Sequence, residues 1–387
     1  MTVPAYNLGP LPTVALIGAA VALVPVIWVA WRHRHGTPAE RRRALTLVTL
    51  FLTFDLVLFG AFTRLSDSGL GCPDWPGCYG STSPWGAHAA IGAAQEAMPT
   101  GPVTHGKAWI EMLHRYLATG VGALITVSMV SAWWSARRRP AALDGMSPWW
   151  STGTWLWVCG QGAFGALTVT MKLYPAIVTL HLLGGLGLLA LLAIQSQLPV
   201  RARLSMSPGL RWGVWAVLAL ALVQISLGGW VSTNYAVLAC TDFPTCQGQW
   251  WPEMDFDHGY TVMRALGAGK DGGFLPFAAL TAIHVVHRLG AAGVTLAVGA
   301  LVWRLLASGD SALRRWAFAL VGVLGWQWAS GLGNVLLDWP LLSAVAHTGG
   351  AAMLLVVLVM LLTRARPEPR TIHTAVSADS HRVQAAS

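Results

Sequence analysis

Apolar residues in this chain come in long blocks, not in the alternation of strands or the one-sided stripe of a surface helix. Nine blocks approach the roughly 20 residues a helix needs to cross a bilayer. They cover 12–31, 44–63, 109–134, 149–170, 175–198, 212–231, 279–303, 316–337 and 340–362. The pattern predicts an all-α polytopic membrane protein. The first block has no basic residues before it and no small-residue cleavage motif, so it reads as a helix and not as a cleavable signal. Two connectors, about 64–108 and 232–278, are long, and connectors of that length are usually functional or disordered.

Charge gives the blocks a direction. Of the 25 Lys and Arg residues, all but Arg64, Lys107, Arg115, Lys172, Arg264, Lys270 and Arg288 lie in alternate connectors or in the tail. The crowded connectors hold Arg41 to Arg43, Arg137 to Arg139, Arg201, Arg203, Arg211, Arg314 and Arg315, and the tail holds Arg370 and Arg382. Lys and Arg gather on the cytoplasmic side of membrane proteins. The N-terminus is therefore expected outside, with both long connectors, and the C-terminus inside. The net charge of +9 then reflects topology, and no nucleic-acid partner is expected. A charged fraction of 11% excludes a soluble globular enzyme and a disordered chain. The 21 Trp residues fit aromatic belts at helix ends.

The blocks repeat. GAFTRLSDSGLGCPDWPGCYG from Gly60 and GGWVSTNYAVLACTDFPTCQG from Gly228 share C-x-D-x-P-x-C-x-G without a gap. Cys72, Asp74, Pro76, Cys78 and Gly80 match Cys240, Asp242, Pro244, Cys246 and Gly248. Further on, Gln161, Gly165, His181 and Gly184 match Gln327, Gly331, His347 and Gly350, and His114-Arg115 matches His287-Arg288. Blocks two to five thus recur as blocks six to nine. Both copies enter from the same side, which makes the repeat parallel about an axis along the membrane normal. The expected organisation is two four-helix bundles forming an eight-helix core, at 44–203 and 204–363. An extra N-terminal helix and cytoplasmic loop at 1–43 and a disordered tail at 364–387 complete it.

Four histidines, His114, His181, His287 and His347, lie inside apolar blocks at one depth, on the order of 7–12 Å below the outer surface. A single histidine there is as well explained by a structural hydrogen bond. Four at one depth, two per repeat and beside small residues, point to metal ligands. A zinc site would want further Cys or carboxylate ligands nearby. Two imidazoles on facing helices of a four-helix unit suit the iron of a haem. The repeat pairs His114 with His181 and His287 with His347, with cross-pairing left open. Arg115 and Arg288, next to two of them, match haem propionates or simply snorkel to the interface. Glu111 lies three residues before His114, where the second copy has His284. It is either a reactive carboxylate or a charge favoured near a helix N-terminus. Cys72 with Cys78 and Cys240 with Cys246 are expected as disulfides in an oxidising compartment, either bracing the loops or exchanging with thiols. Cys159 reads as inert packing. Asp55 is either a proton relay or a hydrogen-bond partner of a neighbouring helix.

On TRLSDSGLGCPDWPGCYG (63–80), EMLHRYLA (111–118), HLLGG (181–185), NYAVLACTDFPTCQGQWWP (234–252), HVVHRLGA (284–291) and HTGGA (347–351), the chain resembles the haem A synthase family, of the haem O-oxidising, proteobacterial and mitochondrial-like type. The resemblance covers about Gly60 to Leu362. It implies a haem b in the C-terminal half on His287 and His347, and a haem O substrate in the N-terminal half on His114 and His181. It implies that Glu111 is the essential carboxylate in oxidising the C8 methyl of haem O to the formyl of haem A. It links Cys72 and Cys78 to activity and leaves Cys240 and Cys246 a structural role. It also implies a bacterial inner-membrane oxidoreductase in contact with membrane lipid. A haem O synthase, oxidase assembly factors and a second copy in a homo-oligomer are its implied partners. The helix at 12–31 is additional to the family pattern. The chain has no flavin or nicotinamide domain, so electrons must leave through the second haem, a quinone or an external protein. Two other classes use some of the same residues. A haem carrier or electron-transferring cytochrome b needs the histidines without the carboxylate, and a quinone-linked thiol oxidase needs the cysteines without the histidines.

Overall fold

The computed structural model describes residues 5–138, 146–200 and 202–367. All nine apolar blocks are helical within it. The long helices are α1 (Leu11–Arg32), α2 (Pro38–Leu65), α4 (His105–Arg138), α5 (Trp149–Thr170), α6 (Pro175–Gln197), α7 (Pro208–Thr233), α9 (Phe277–Ala307), α10 (Ser311–Leu336) and α11 (Leu341–Arg364). Short helices α3 (His88–Ala97) and α8 (Phe256–Gly259) lie in the two long connectors. Among the described residues, seven helices are long and apolar enough to cross a membrane, and the chain is a multi-pass membrane protein. Helices α5 and α10 are as long but fall outside those seven. They carry polar residues inside their apolar runs, among them Gln161, Gln327 and Ser330.

Local chemistry sets the helix ends. Thr37 and Glu40 form a reciprocal capping box around Pro38 at the start of α2. The side chains of Ser207 and Asp310 accept from the backbone N–H groups of Leu210 and Ala312 to open α7 and α10. Each such cap contributes about 1 kcal/mol.

The helices pack as the repeat requires. Neighbours run α2–α4–α5–α6 and back to α2 in one half, and α7–α9–α10–α11 and back to α7 in the other. The two rings meet along α2, α6, α7 and α11. Leu186, Leu189, Val214, Ala221, Leu355 and Leu358 fill that seam and are buried. Lipid is as apolar as these side chains, so the seam is held by close contact and not by the hydrophobic effect. The extra helix α1 packs on α4. A Cβ at Gly18 would sit 2.5 Å from Thr119, so the crossing closes only with glycine there.

The start of the tail is not free. Strand β1 (Leu204–Met206) pairs in parallel with β2 (Ala365–Pro367). Arg203 donates to the Thr363 carbonyl and Arg364 to the Ala202 carbonyl beside it. The rest of the tail expected to be disordered, with Arg139, Arg201, Arg370 and Arg382, lies outside the described residues. Cys159, expected as buried packing, is exposed on α5, where it borders an interior cavity. Asp55 is exposed on α2 and, among the described residues, makes no hydrogen bond to a neighbouring helix.

One clasp in the second long connector titrates. His258 sits 2.7 Å from Asp255 and 2.8 Å from Asp271. The Asp271 hydrogen bond, with that of Asp255, raises the His258 pKa above 6.5, and both carboxylates are lowered. A raised histidine contributes fully below 6.5 and loses its contribution as pH rises through its folded value. Limited proteolysis of the 253–275 loop is therefore expected to speed up as pH passes above that range, less so in Asp271→Asn. A His258 NMR titration midpoint at or below 6.5 would contradict the clasp.

Candidate functional site

The four histidines line one cavity of about 840 Å³ that runs through both halves. Each ring turns its Cε1 edge to a glycine of the preceding helix in its ring of four. A Cβ at Gly60, Gly165, Gly228 or Gly331 would come within 3.0–3.3 Å of the Cε1 of His114, His181, His287 or His347. That contact fixes each imidazole edge-on to the helix. Among the described residues, no hydrogen bond occupies the Nε2 atom of any of the four. His287 and His347 face each other with ring centroids 6.5 Å apart and planes at 79°. Two metal–nitrogen bonds of about 2 Å, plus about 1 Å from each nitrogen to its ring centre, span about 6 Å. One iron between these imidazoles fits the separation. Among the described residues, no three His, Cys, Asp or Glu side chains converge on one point.

The cysteine motif is legible as backbone chemistry. Cys72–Cys78 and Cys240–Cys246 are both disulfides. Between each pair an Asp folds the loop onto itself. Asp74 accepts from the N–H groups of Tyr79 and Gly80 at 2.6 and 2.8 Å. Asp242 accepts from Gln247 and Gly248 at 2.7 and 3.0 Å. The Thr245 hydroxyl, then these N–H groups, hold Asp242 at a pKa of about 2. The loop leaves through Gly80 and Gly248 at φ of +72° and +71°, a conformation that favours glycine.

Each His-Arg dipeptide splits its duties. The histidine turns to the cavity and the arginine turns up to the loop. Arg115 donates to the carbonyls of Asp74 and Gly77, and Arg288 to those of Asp242, Thr245 and Cys240. Arg115 and Arg288 both line the cavity and both bond to loop carbonyls, so they latch the loops. The helical step explains this: adjacent residues point about 100° apart and reach different partners.

The halves differ beside the histidines. In the N-terminal half Arg115 pairs with Glu111, and both are buried. Glu111 also accepts from the Cys72 N–H at 2.7 Å. The carboxylate thus joins the disulfide loop to the cavity it lines. In the C-terminal half His284 takes that place and contacts the Ala236 carbonyl through Nδ1 at 3.0 Å. Arg64, which sequence reasoning passed over, also lines the cavity. It donates to the Ser232 carbonyl at 2.6 Å and lies 4.2 Å over the Tyr235 ring, tying one half to the other. Gln224 was missed as well. Its signal is its position one turn before Gly228, matching Gln161 before Gly165 and Gln327 before Gly331.

Fold and site together define a polytopic membrane protein with two pairs of inward histidines under two cysteine loops. The model of the cytochrome oxidase assembly protein family, COX15-CtaA, matches residues 43–359, and the chain belongs to this family. It is 39% identical over 322 residues to the haem A synthase of Shewanella oneidensis, covering 81% of this chain and 94% of that one. It is 29% identical over 324 residues to the haem A synthase of Symbiobacterium thermophilum, covering 79% and 90%. With the haem A synthase of Halalkalibacterium halodurans it shares 28% over 323 residues, covering 80% and 93%.

Proposed function

We propose that this chain converts haem O to haem A for oxidase assembly, oxidising the C8 methyl to a formyl group by successive hydroxylations and loss of water. The observation that carries this reading is the set of four cavity-facing imidazoles, two per repeat, with a buried carboxylate beside only one pair. His114 and His181 hold the haem O substrate. His287 and His347 hold a resident haem b, which supplies electron transfer when bound. Glu111, fixed by Arg115 and the Cys72 N–H, holds or moves a proton next to the substrate. The Cys72–Cys78 loop, bonded to that carboxylate, closes the substrate site toward the outside and is the pair open to thiol exchange. Cys240–Cys246 braces the mirrored loop.

The arginine bias supports an outside N-terminus and a cytoplasmic C-terminus in a bacterial inner membrane. The repeat supports two domains, at 44–203 and 204–363. A haem O synthase is the source of the substrate and oxidase assembly factors receive the product, and a homo-oligomer is compatible with the exposed apolar helix faces.

Pigment extraction from the full chain co-expressed with a haem O synthase tests the reading. Haem A or a hydroxylated haem O in the purified protein is expected. Haem b alone would favour a carrier or a cytochrome, and a haem-free protein with cysteine-dependent turnover would favour a thiol oxidase.

A further inference from the structure

The cavity runs deeper in one half than in the other. On α4 its lining reaches Thr126, twelve residues below His114, and on α5 it reaches Trp155, ten residues below Gly165. Among the described residues, the lining of the matched helices stops at Thr295, eight residues below His287, and at Leu324, seven below Gly331. The difference is about one helical turn, or roughly 5 Å. A pair of side chains stands where the shallower half ends. Trp328 Nε1 donates to the Thr295 hydroxyl at 3.0 Å and closes the seam between α9 and α10. Phe243 of the second cysteine loop stands edge-on to the Trp328 ring, with centroids 6.2 Å apart.

Both members of that wall are glycine in the N-terminal half. Gly162 matches Trp328 at the offset that matches Gln161 with Gln327, and Gly122 matches Thr295 at the offset that matches His114 with His287. The match holds in space: Gln161 meets His181 Nδ1 at 3.1 Å, and the Gln327 amide nitrogen lies 3.0 Å from His347 Nδ1. Gly122 and Gly162 both line the cavity, and a Cβ on either would meet no packing partner within 4 Å. The slot continues past Thr126 and Cys159, one turn further down α4 and α5. Above it His114 lines the same space, with Nδ1 buried and without a hydrogen-bond partner. The slot therefore opens beneath a polar group that the chain itself leaves unpaired.

Haem O and haem b share a macrocycle and its iron, and differ in the long isoprenoid tail that haem O carries. Imidazoles at the iron do not distinguish them, so discrimination has to lie in the walls. We infer that the slot lined by Gly122, Thr126, Cys159 and Gly162 receives the tail of the substrate haem, and that Trp328 and Thr295 keep a tailed haem out of the C-terminal half. The inference rests on the two-haem reading above. The tail lies in lipid before it binds, so burying it gains little hydrophobic free energy. The slot supplies room, and selection comes from exclusion: a tail pressed against a filled wall forces packed side chains aside. The main helix neighbours of α5 are α4 and α6, so α5 stands at the rim of its bundle. A chain leaving through the α4–α5 seam thus reaches the bilayer.

Haem content of the purified protein reads this directly. The full-length chain is co-expressed with a haem O synthase. Tailed haems, whether haem O, its hydroxylated form or haem A, are counted against haem b per polypeptide. The parent is expected to hold one tailed haem for each haem b. Gly122→Thr with Gly162→Trp builds the wall into the N-terminal half and is expected to lower the tailed haem by about 10-fold or more while haem b stays. Thr295→Gly with Trp328→Gly removes the wall from the other half and is expected to raise tailed haem at the expense of haem b. Where one variant loses all haem, the other decides alone. Parent-like haem ratios in the variants that keep haem would overturn the inference while leaving the two-haem reading intact. A parent without any tailed haem would overturn the two-haem reading and the inference with it.

Discussion

Glu111→Gln is expected to leave the protein folded and haem-loaded while lowering haem A formation by roughly 10²–10⁴-fold, the range for loss of a positioned acid or base. The substitution keeps the shape. The single amide oxygen still accepts from one of the two donors, the Cys72 N–H or Arg115, and Arg115 keeps its bonds to the Asp74 and Gly77 carbonyls. What disappears is the exchangeable proton of the carboxyl. Haem content and absorption spectrum report the fold, and extracted pigments report the chemistry. Haem A at the parent level, in a variant with a normal spectrum, would remove Glu111 from the reaction. The mirrored variant, His284→Gln, is expected to lack that consequence because it removes no carboxyl and, among the described residues, the His284 side chain hydrogen-bonds only to the Ala236 carbonyl.

Arg115→Leu is expected to destabilise far more than Arg288→Leu, although the two arginines occupy matched positions. Removing Arg115 strands a buried carboxylate. Breaking a buried ion pair by removing one partner costs on the order of 3–5 kcal/mol. Arg288 bonds only to neutral carbonyls, and its loss leaves no uncompensated charge. Thermal unfolding in detergent should therefore show a lower Tm for Arg115→Leu, and the double variant Arg115→Leu with Glu111→Leu should recover part of the loss. Equal Tm values for the two single variants would show that the Glu111–Arg115 pair adds nothing to the latch.

Much of this was legible in the sequence because membrane helices advertise themselves. Block length, arginine placement and the repeated cysteine loop gave the helices, and the common depth of the histidines gave the cavity. Side-chain destinations were not legible. Arg115 and Arg288 were read as propionate partners or interfacial snorkellers, and neither reading named the loop carbonyls they bond. Cys159 sits in an apolar block, and only the packing of the helices shows that it borders the cavity. The β1–β2 pair rests on three residues each in a polar connector and a tail, too short for any periodicity. Gln224 sits in a helix without a repeat partner to flag it, because its counterpart is Leu56.

The strand pair also bears on how the molecule is made. Leu204 leaves the ribosome when the first bundle is complete, and Ala365 only after the last helix. The latch between them therefore cannot form during synthesis of the second bundle. Closure of the seam is a late event, sealed on the membrane face opposite the cysteine loops once the whole core has been inserted.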